Sequence, residues 1–348
     1  MKVLITGIAG FIGVNTGLKF LKNGYKVIGI DNLSRKGTPH NLNLLRSANG
    51  GKLNFIKGDI CDFNLINRVI KANPDIKLIL HLAAQVAVTT SVVEPLNDFK
   101  TNAVGTLNLL ESMRINKSRA VMIFSSTNKV YGGMENVEVQ EINGRYQYVR
   151  FKKGIPENFL LDFHSPYGCS KGCADQYVRD YARIYGLKTI VFRQSCIYGI
   201  NQFGIEDQGW LSNFVIRAVL KQSINIYGDG KQVRDVLYVN DLIDAYETAY
   251  KKVKESGGKI YNIGGGAGNQ ISILESIKII EKELNTKIQL KFFSWRPGDQ
   301  KIFVSDNSKL ARELGWKPKT DVRNGIRKLI QWVEGNKGII KRVACSHE

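Results

Sequence analysis

Tyr167 and Lys171 stand four residues apart at the start of segment 165–185, whose apolar spacing predicts a helix, so both side chains share one face. A tyrosine of ordinary pKa, about 10, is too weak an acid to act as a base near neutrality. A lysine ammonium beside it, and the cationic ring of an oxidised nicotinamide, would each favour the phenolate. Such a phenolate could take the proton of a hydroxyl while a hydride leaves the same carbon. The spacing alone recurs by chance in helices. Its meaning comes from Ser125-Ser126-Thr127 at the end of a predicted strand, because strand C-termini are where wound α/β sheets take ligands. The Thr127 hydroxyl could donate to the reacting oxygen and hold the ketone that forms.

A second constellation supplies the hydride acceptor. The first predicted strand runs into Gly7-Ile8-Ala9-Gly10-Phe11-Ile12-Gly13, and a helix follows. Glycines in a strand–turn–helix context permit a tight turn and bring backbone close to a pyrophosphate at the helix N-terminus. The next strand ends at Asp31, an acid placed to accept hydrogen bonds from an adenosine ribose and to repel a 2′-phosphate. NAD is therefore expected over NADP, although Arg35 and Lys36 blur the preference. Asp59 and Ile60, after the third strand, could bracket the adenine.

The elements that must position these groups show in the alternation of patterns. Short β-branched runs at 2–6, 26–31, 53–57, 78–82, 120–125 and 189–193 predict strands, and amphipathic stretches at 11–23, 62–73, 95–116 and 165–185 predict helices between them. That alternation implies a parallel sheet covered on both faces: a doubly wound, Rossmann-type α/β fold with a smaller C-terminal α/β lobe. Beyond 193 the pattern loosens to helices near 210–222, 241–254, 272–284 and 324–334 and strands near 233–238, 259–263 and 288–293. The expected division is a nucleotide-binding domain of 1–192 with 231–263, a second lobe of 193–230 with 264–335, and a polar, frayed tail over 336–348.

Composition narrows the classes. At 348 residues and 43% hydrophobic, the chain can bury a large core. It carries no run apolar enough to cross a bilayer and no signal-peptide core at Met1-Lys2, so a cytoplasmic protein is expected. Cys61, Cys169, Cys173, Cys196 and Cys345 have no metal-ligand spacing and read as idle thiols, with no metal expected. The net charge of +19 suggests a polyanion, yet Lys and Arg are spread along the chain without a basic block, so no specific nucleic-acid partner is expected.

Gly7, Gly10, Gly13, Asp31, His81, Leu82, Ala83, Ala84, Asn102, Thr127, Tyr167 and Lys171 together resemble the pattern of the extended short-chain dehydrogenase/reductase family. The likeness spans about residues 1–335. It implies a tightly held, recycled NAD, a second lobe that grips a nucleotide sugar, and a homodimer or homotetramer built through helices 95–116 and 165–185. It also adds Phe11, Ile12, Asn32, Ser34, Gln85 and Ser125 to the expected cofactor contacts. Within the family, the segments beginning at Asp31, Gln85, Ser125, Asp162 and Asp207 are similar to those of epimerases that invert C2 of a CDP-linked 3,6-dideoxyhexose.

The residues after Thr127 bear on rival reactions. The family's 4,6-dehydratases carry an Asp-Glu pair there, the acid and base of elimination; this chain has Asn128 and Lys129. The amide cannot act as the acid, so dehydration is disfavoured. The Glu that the family's decarboxylases carry is also missing. In the second lobe, Arg234 and Arg296 resemble the family's phosphate-binding arginines and Asp299 a ribose contact, in keeping with the bidentate reach of guanidinium. Gln85, Val86, Asn128, Gln194 and Gln208 complete the expected substrate contacts. A UDP-hexose 4-epimerase would use the same triad. A non-catalytic regulator or RNA-binding relative would be expected to lose Tyr167 or Lys171, and the chain keeps both.

Overall fold

A computed structural model describes residues 1–48, 50–296 and 299–345. In chain order it begins β1 (Lys2–Thr6), α1 (Phe11–Lys22), β2 (Lys26–Asp31), α2 (Thr38–Ser47), β3 (Leu53–Lys57), α3 (Phe63–Ala72) and β4 (Ile76–His81). Next come α4 (Val88–Val93), α5 (Pro95–Phe99), a π-turn (Lys100–Val104), α6 (Gly105–Ile115), β5 (Val121–Thr127), β6 (Val139–Ile142), β7 (Arg145–Tyr148), α7 (Ser165–Tyr185) and β8 (Thr189–Gln194). Then follow β9 (Cys196–Tyr198), α8 (Trp210–Val219), β10 (Ile224–Tyr227), β11 (Val233–Tyr238), α9 (Val239–Lys251), α10 (Val253–Ser256) and β12 (Lys259–Ile263). The chain closes with β13 (Gln270–Ser272), α11 (Ile273–Leu284), β14 (Leu290–Phe293), β15 (Ile302–Phe303), α12 (Ser308–Leu314), α13 (Val322–Gly335) and α14 (Lys337–Cys345).

Seven strands form one parallel sheet in the order β12-β8-β5-β4-β1-β2-β3. Apart from the edge strand β3, their Val, Ile and Leu runs are largely buried, with β8 buried throughout, as a sheet covered by helices on each side requires. The order reverses between β1 and β4, which opens a crevice at their C-terminal ends.

The chain divides into two compact units. One comprises Met1–Val130, Phe163–Arg193 and Ile243–Tyr261; the other comprises Tyr131–Asp162, Gln194–Leu242 and Asn262–Glu348. The first has a core of Leu4, Ile28, Ile79, Leu109, Met122 and Val191. The second is centred on Val215, Ile224, Val236, Ile277, Ile326 and Leu329. Among the described residues no helix is long and apolar enough to cross a membrane.

Several expectations are corrected. Residues 131–162 and 231–242 belong to the second unit: β11 pairs with β9, β13 and β15, and β6 pairs with β7. The helix expected over 95–116 is interrupted by the π-turn, whose extra residue shifts the register between α5 and α6. The tail expected to fray after 335 carries α14, and Ile340 is buried in the second core.

Candidate active site

β1 hands over to Gly7, whose φ of 71° is a left-handed conformation that favours glycine. A Cβ there would lie 2.7 Å from the Ala83 backbone nitrogen, and one on Gly13 would lie 2.1 Å from the Gly7 carbonyl oxygen. Gly10 differs: its Cβ would meet only the Gly7 carbonyl, at 3.2 Å, and as N-cap it brings no side chain to the first turn of α1. Gly7 and Gly13 thus close the turn on itself, while Gly10 leaves the positive end of α1 open to a diphosphate.

Asp31 fastens this turn to β2. Its Oδ2 accepts from the Ala9 amide at 2.9 Å and its Oδ1 from the Leu33 amide at 2.8 Å, with lone pairs left for a ribose hydroxyl. Burial raises its pKa, and those amide bonds oppose the rise. The Asn32 amide donates to Asp59 at 2.9 Å and its Oδ1 accepts from the Ser34 amide at 3.0 Å, so these three residues are joined at the ends of β2 and β3. Ile60 does not bracket a base as expected: its side chain lies in the core beside Gly105. Arg35 is half-buried and acts electrostatically on the Tyr167 phenol.

The chain after β4 is set by neutral groups. Thr106 donates its hydroxyl proton to the Asn102 carbonyl, so His81 Nε2 must donate to Thr106 at 2.9 Å, and His81 Nδ1 accepts from Thr6 at 2.7 Å. Thr6 Oγ1 in turn accepts from the Leu82 and Ala83 amides, each at 3.2 Å. His81 is buried, which pushes its pKa down to about 3, with the Lys171 charge adding to the effect. Two expected cofactor contacts spend their side chains on the protein. Asn102 accepts from the Gln85 amide at 3.0 Å and directs its Nδ2 at the Gln85 carbonyl, Asp98 and Ser170. The Gln85 side chain bonds the backbone of Ala87 in both directions. Ala84 and Val86 are half-buried beside it.

α7 carries Pro166 in its first turn, and the Tyr167 amide donates to the buried Ser91 hydroxyl at 3.1 Å. Gly186, in the left-handed conformation, ends the helix. Its inward stripe of Tyr167, Ser170, Lys171, Ala174, Asp175 and Val178 faces β5. The structure brings the expected triad together: the Tyr167 phenol hydrogen-bonds Thr127, and Lys171 Nζ donates to the Ser125 carbonyl at 2.6 Å, lying 4.2 Å from the Phe124 ring centroid. Burial pushes the Tyr167 phenol up to about 12; Thr127 and then Arg35 oppose the rise, and Asp98 adds to it. Burial takes Lys171 itself down to about 7, against Asp175 and Asp98.

Sequence reasoning missed what clamps this face. Arg193 on β8 meets Asp175 on α7 at 2.9 and 3.0 Å, both side chains essentially inaccessible, and Ser126 donates to the same carboxylate at 2.8 Å. The available signal was an arginine inside an otherwise apolar strand, which burial obliges to find an acid.

In the second unit the cations pair with acids. Arg296 meets Glu206 and Asp207, each at 3.3 Å, and its guanidinium lies 3.8 Å from the Tyr227 ring centroid. Arg234 donates to the Val233 carbonyl at 2.8 Å and approaches Asp299 at 3.8 Å. Gln208 closes a backbone bridge with Ile205, and Gln194 is the buried last residue of β8.

The protein-family model described as GDP-mannose 4,6 dehydratase matches residues 4–329. The chain belongs to the extended short-chain dehydrogenase/reductase family. This family comprises NAD-dependent nucleotide-sugar epimerases and dehydratases. The chain is 46% identical over 338 residues to the CDP-paratose 2-epimerase of Salmonella typhi, covering 95% of this chain and 99% of that protein. Among solved structures it resembles the UDP-glucose 4-epimerase of Thermotoga maritima with UDP-glucose (TM-score 0.84, 31% identity, 97% and 100% of the two chains). It also resembles the Thermus thermophilus UDP-glucose 4-epimerase in complex with NAD (TM-score 0.80, 29% identity, 96% and 99%).

In this family member the residues after Thr127 are Asn128 and Lys129, where the dehydratases carry Asp and Glu. The Thr127 hydroxyl stands 3.4 Å from Asn128 Oδ1 and accepts from the Lys129 amide at 3.3 Å, so both residues frame Thr127 without adding a carboxyl group.

Proposed function

We propose that this enzyme inverts C2 of a CDP-linked 3,6-dideoxyhexose, interconverting CDP-paratose and CDP-tyvelose through a transient 2-keto sugar. The observation that carries the reading is the 46% identity to a CDP-paratose 2-epimerase over nearly both full lengths. The intact triad and the amide and ammonium at Asn128 and Lys129 agree with it, because epimerisation needs no acid–base pair for elimination.

NAD, when bound, would supply the acceptor and donor of the hydride exchanged at the sugar carbon. The turn Gly7–Gly13 and the N-terminus of α1 hold its diphosphate, and Asp31 its adenosine ribose. Tyr167 takes the C2 hydroxyl proton and gives it back, and Thr127 donates a hydrogen bond to that oxygen. A phenol held near 12 by burial yields its proton only once positive charge lies beside it. Arg234 and Arg296 exchange their carboxylate partners for phosphate oxygens, with Asp299 on a ribose.

Mass spectrometry and NMR of purified protein incubated with CDP-, UDP- and dTDP-sugars, without added cofactor, test the reading. C2 inversion of CDP-paratose is expected. A second reading, UDP-hexose 4-epimerisation, draws on the likeness to the Thermotoga enzyme; turnover of a UDP-hexose at C4 with CDP-paratose untouched would replace the first. Val93, Leu96 and Ile184 stand 65–79% exposed on α4, α5 and α7 and support a homo-oligomer through this face. A monomer in sedimentation would remove that part.

A further inference from the structure

α5 is packed the wrong way round for a surface helix. Leu96 and Phe99 are 75% and 48% exposed, whereas Asp98 between them is wholly inaccessible. An ionised carboxylate taken from water is costly unless its oxygens are met. Here both are: Asp98 accepts a short hydrogen bond from the Ser170 hydroxyl, and its Oδ1 accepts from Asn102 Nδ2 at 3.1 Å. Asn102 Nδ2 also lies 3.0 Å from Ser170 Oγ, closing a triangle across α5, the π-turn and α7. Ser170 sits between the reacting pair: it precedes Lys171 and lies 3.2 Å from the Tyr167 carbonyl.

We propose that Asp98 is a positioning residue whose buried charge, held through Ser170 and Asn102, sets the protonation of Tyr167 and Lys171 together. The inference rests on the reading of Tyr167 as the base.

The other charges near the pair do different work. Asp175, bound to Arg193 and Ser126, also raises the pKa of Lys171, more than Asp98 does, but does not act on Tyr167, and His81 is held neutral. Arg35 acts on the phenol from the chain after β2. Glu94 and Lys100 flank α5 and are exposed, and Glu111 and Arg114 on α6 lie toward the far end of α7, where Glu111 accepts from the Tyr181 hydroxyl. Burial raises the pKa of Asp98 itself, and the Ser170 hydrogen bond and the Lys171 charge oppose that rise; the carboxylate in turn raises the pKa of both Tyr167 and Lys171. One carboxylate thus opposes formation of the phenolate and favours the ammonium. Its removal should move both groups the same way, toward lower pH.

The test uses full-length, NAD-loaded protein without sugar. Tyrosinate absorbance is followed against pH, and the component missing in Tyr167→Phe is assigned to Tyr167. In Asp98→Asn its midpoint should fall by roughly one pH unit. With a turned-over sugar, both limbs of the kcat profile should shift downward together. A loss of rate with unmoved midpoint and limbs would make Asp98 merely structural and overturn the proposal. Should Asp98→Asn not fold, Asp98→Ser removes the same charge and the same shift is expected. If wild type turns over no nucleotide sugar, the functional reading falls, while the tyrosinate comparison still decides the role of Asp98.

Discussion

The charged groups of the candidate site are held differently in the two units. Behind Tyr167 and Lys171, the Asp175–Arg193 pair is essentially inaccessible, and both Asp175 oxygens have a fixed donor. In the second unit, the side chains of Arg234, Arg296 and their acids are 12–44% exposed, and the contacts are long, 3.3–3.8 Å. Half-exposed ion pairs contribute only about 0–1 kcal/mol, so a guanidinium can leave one for the bidentate oxygens of a phosphate. A buried network cannot rearrange so cheaply. Under the proposed function, that difference assigns the chemistry to the first unit and the grip on the substrate to the second.

That contrast can be broken at several points. Gly13→Ala puts a methyl 2.1 Å from the Gly7 carbonyl and should abolish NAD retention, read by cofactor released on denaturing the purified protein. Tyr167→Phe should lower kcat by about three orders of magnitude with NAD still bound. Arg193→Ala strands the buried Asp175 and should cost about 3–5 kcal/mol in denaturant unfolding. Arg296→Gln should raise KM by about tenfold, roughly 1.4 kcal/mol, while kcat stays nearly constant. A fall in kcat with KM unchanged would place Arg296 with the chemistry and dissolve the contrast.

A pH dependence is expected as well. Lys171 has a pKa of about 7 when folded, against the ordinary 10.5. Between those values the unfolded chain binds more protons, so this group's contribution to stability rises with pH over that window. Below it, the cost of a buried ammonium is fully present. Lys171→Met should therefore be stabilised relative to wild type at about pH 6 and lose that advantage by about pH 10.

Much of the first unit could be read from the sequence. The β-branched runs gave β1, β2 and β3 their observed limits, and Tyr167 and Lys171 were marked by their spacing at the start of α7, with Ser125–Thr127 at the end of β5. Asp98 could not be read this way, because Leu96 and Phe99 mark the opposite face of α5 as the buried one. Asn102 came from the family resemblance alone, and no spacing reveals that a π-turn aims its amide at Gln85 and Ser170. β11 reads as a strand of the main sheet by composition; its partners β9, β13 and β15 are short and distant in sequence. The acids that meet Arg296, Glu206 and Asp207, lie about ninety residues away and no local pattern couples them.

The most direct measurement is an isotope experiment with CDP-paratose carrying deuterium at C2, incubated in ordinary water with no added NAD. The account expects CDP-tyvelose that keeps the deuterium at C2, because the hydride leaves and returns within one closed site. Washout of the label, or an unchanged sugar beside a UDP-hexose inverted at C4, would contradict it.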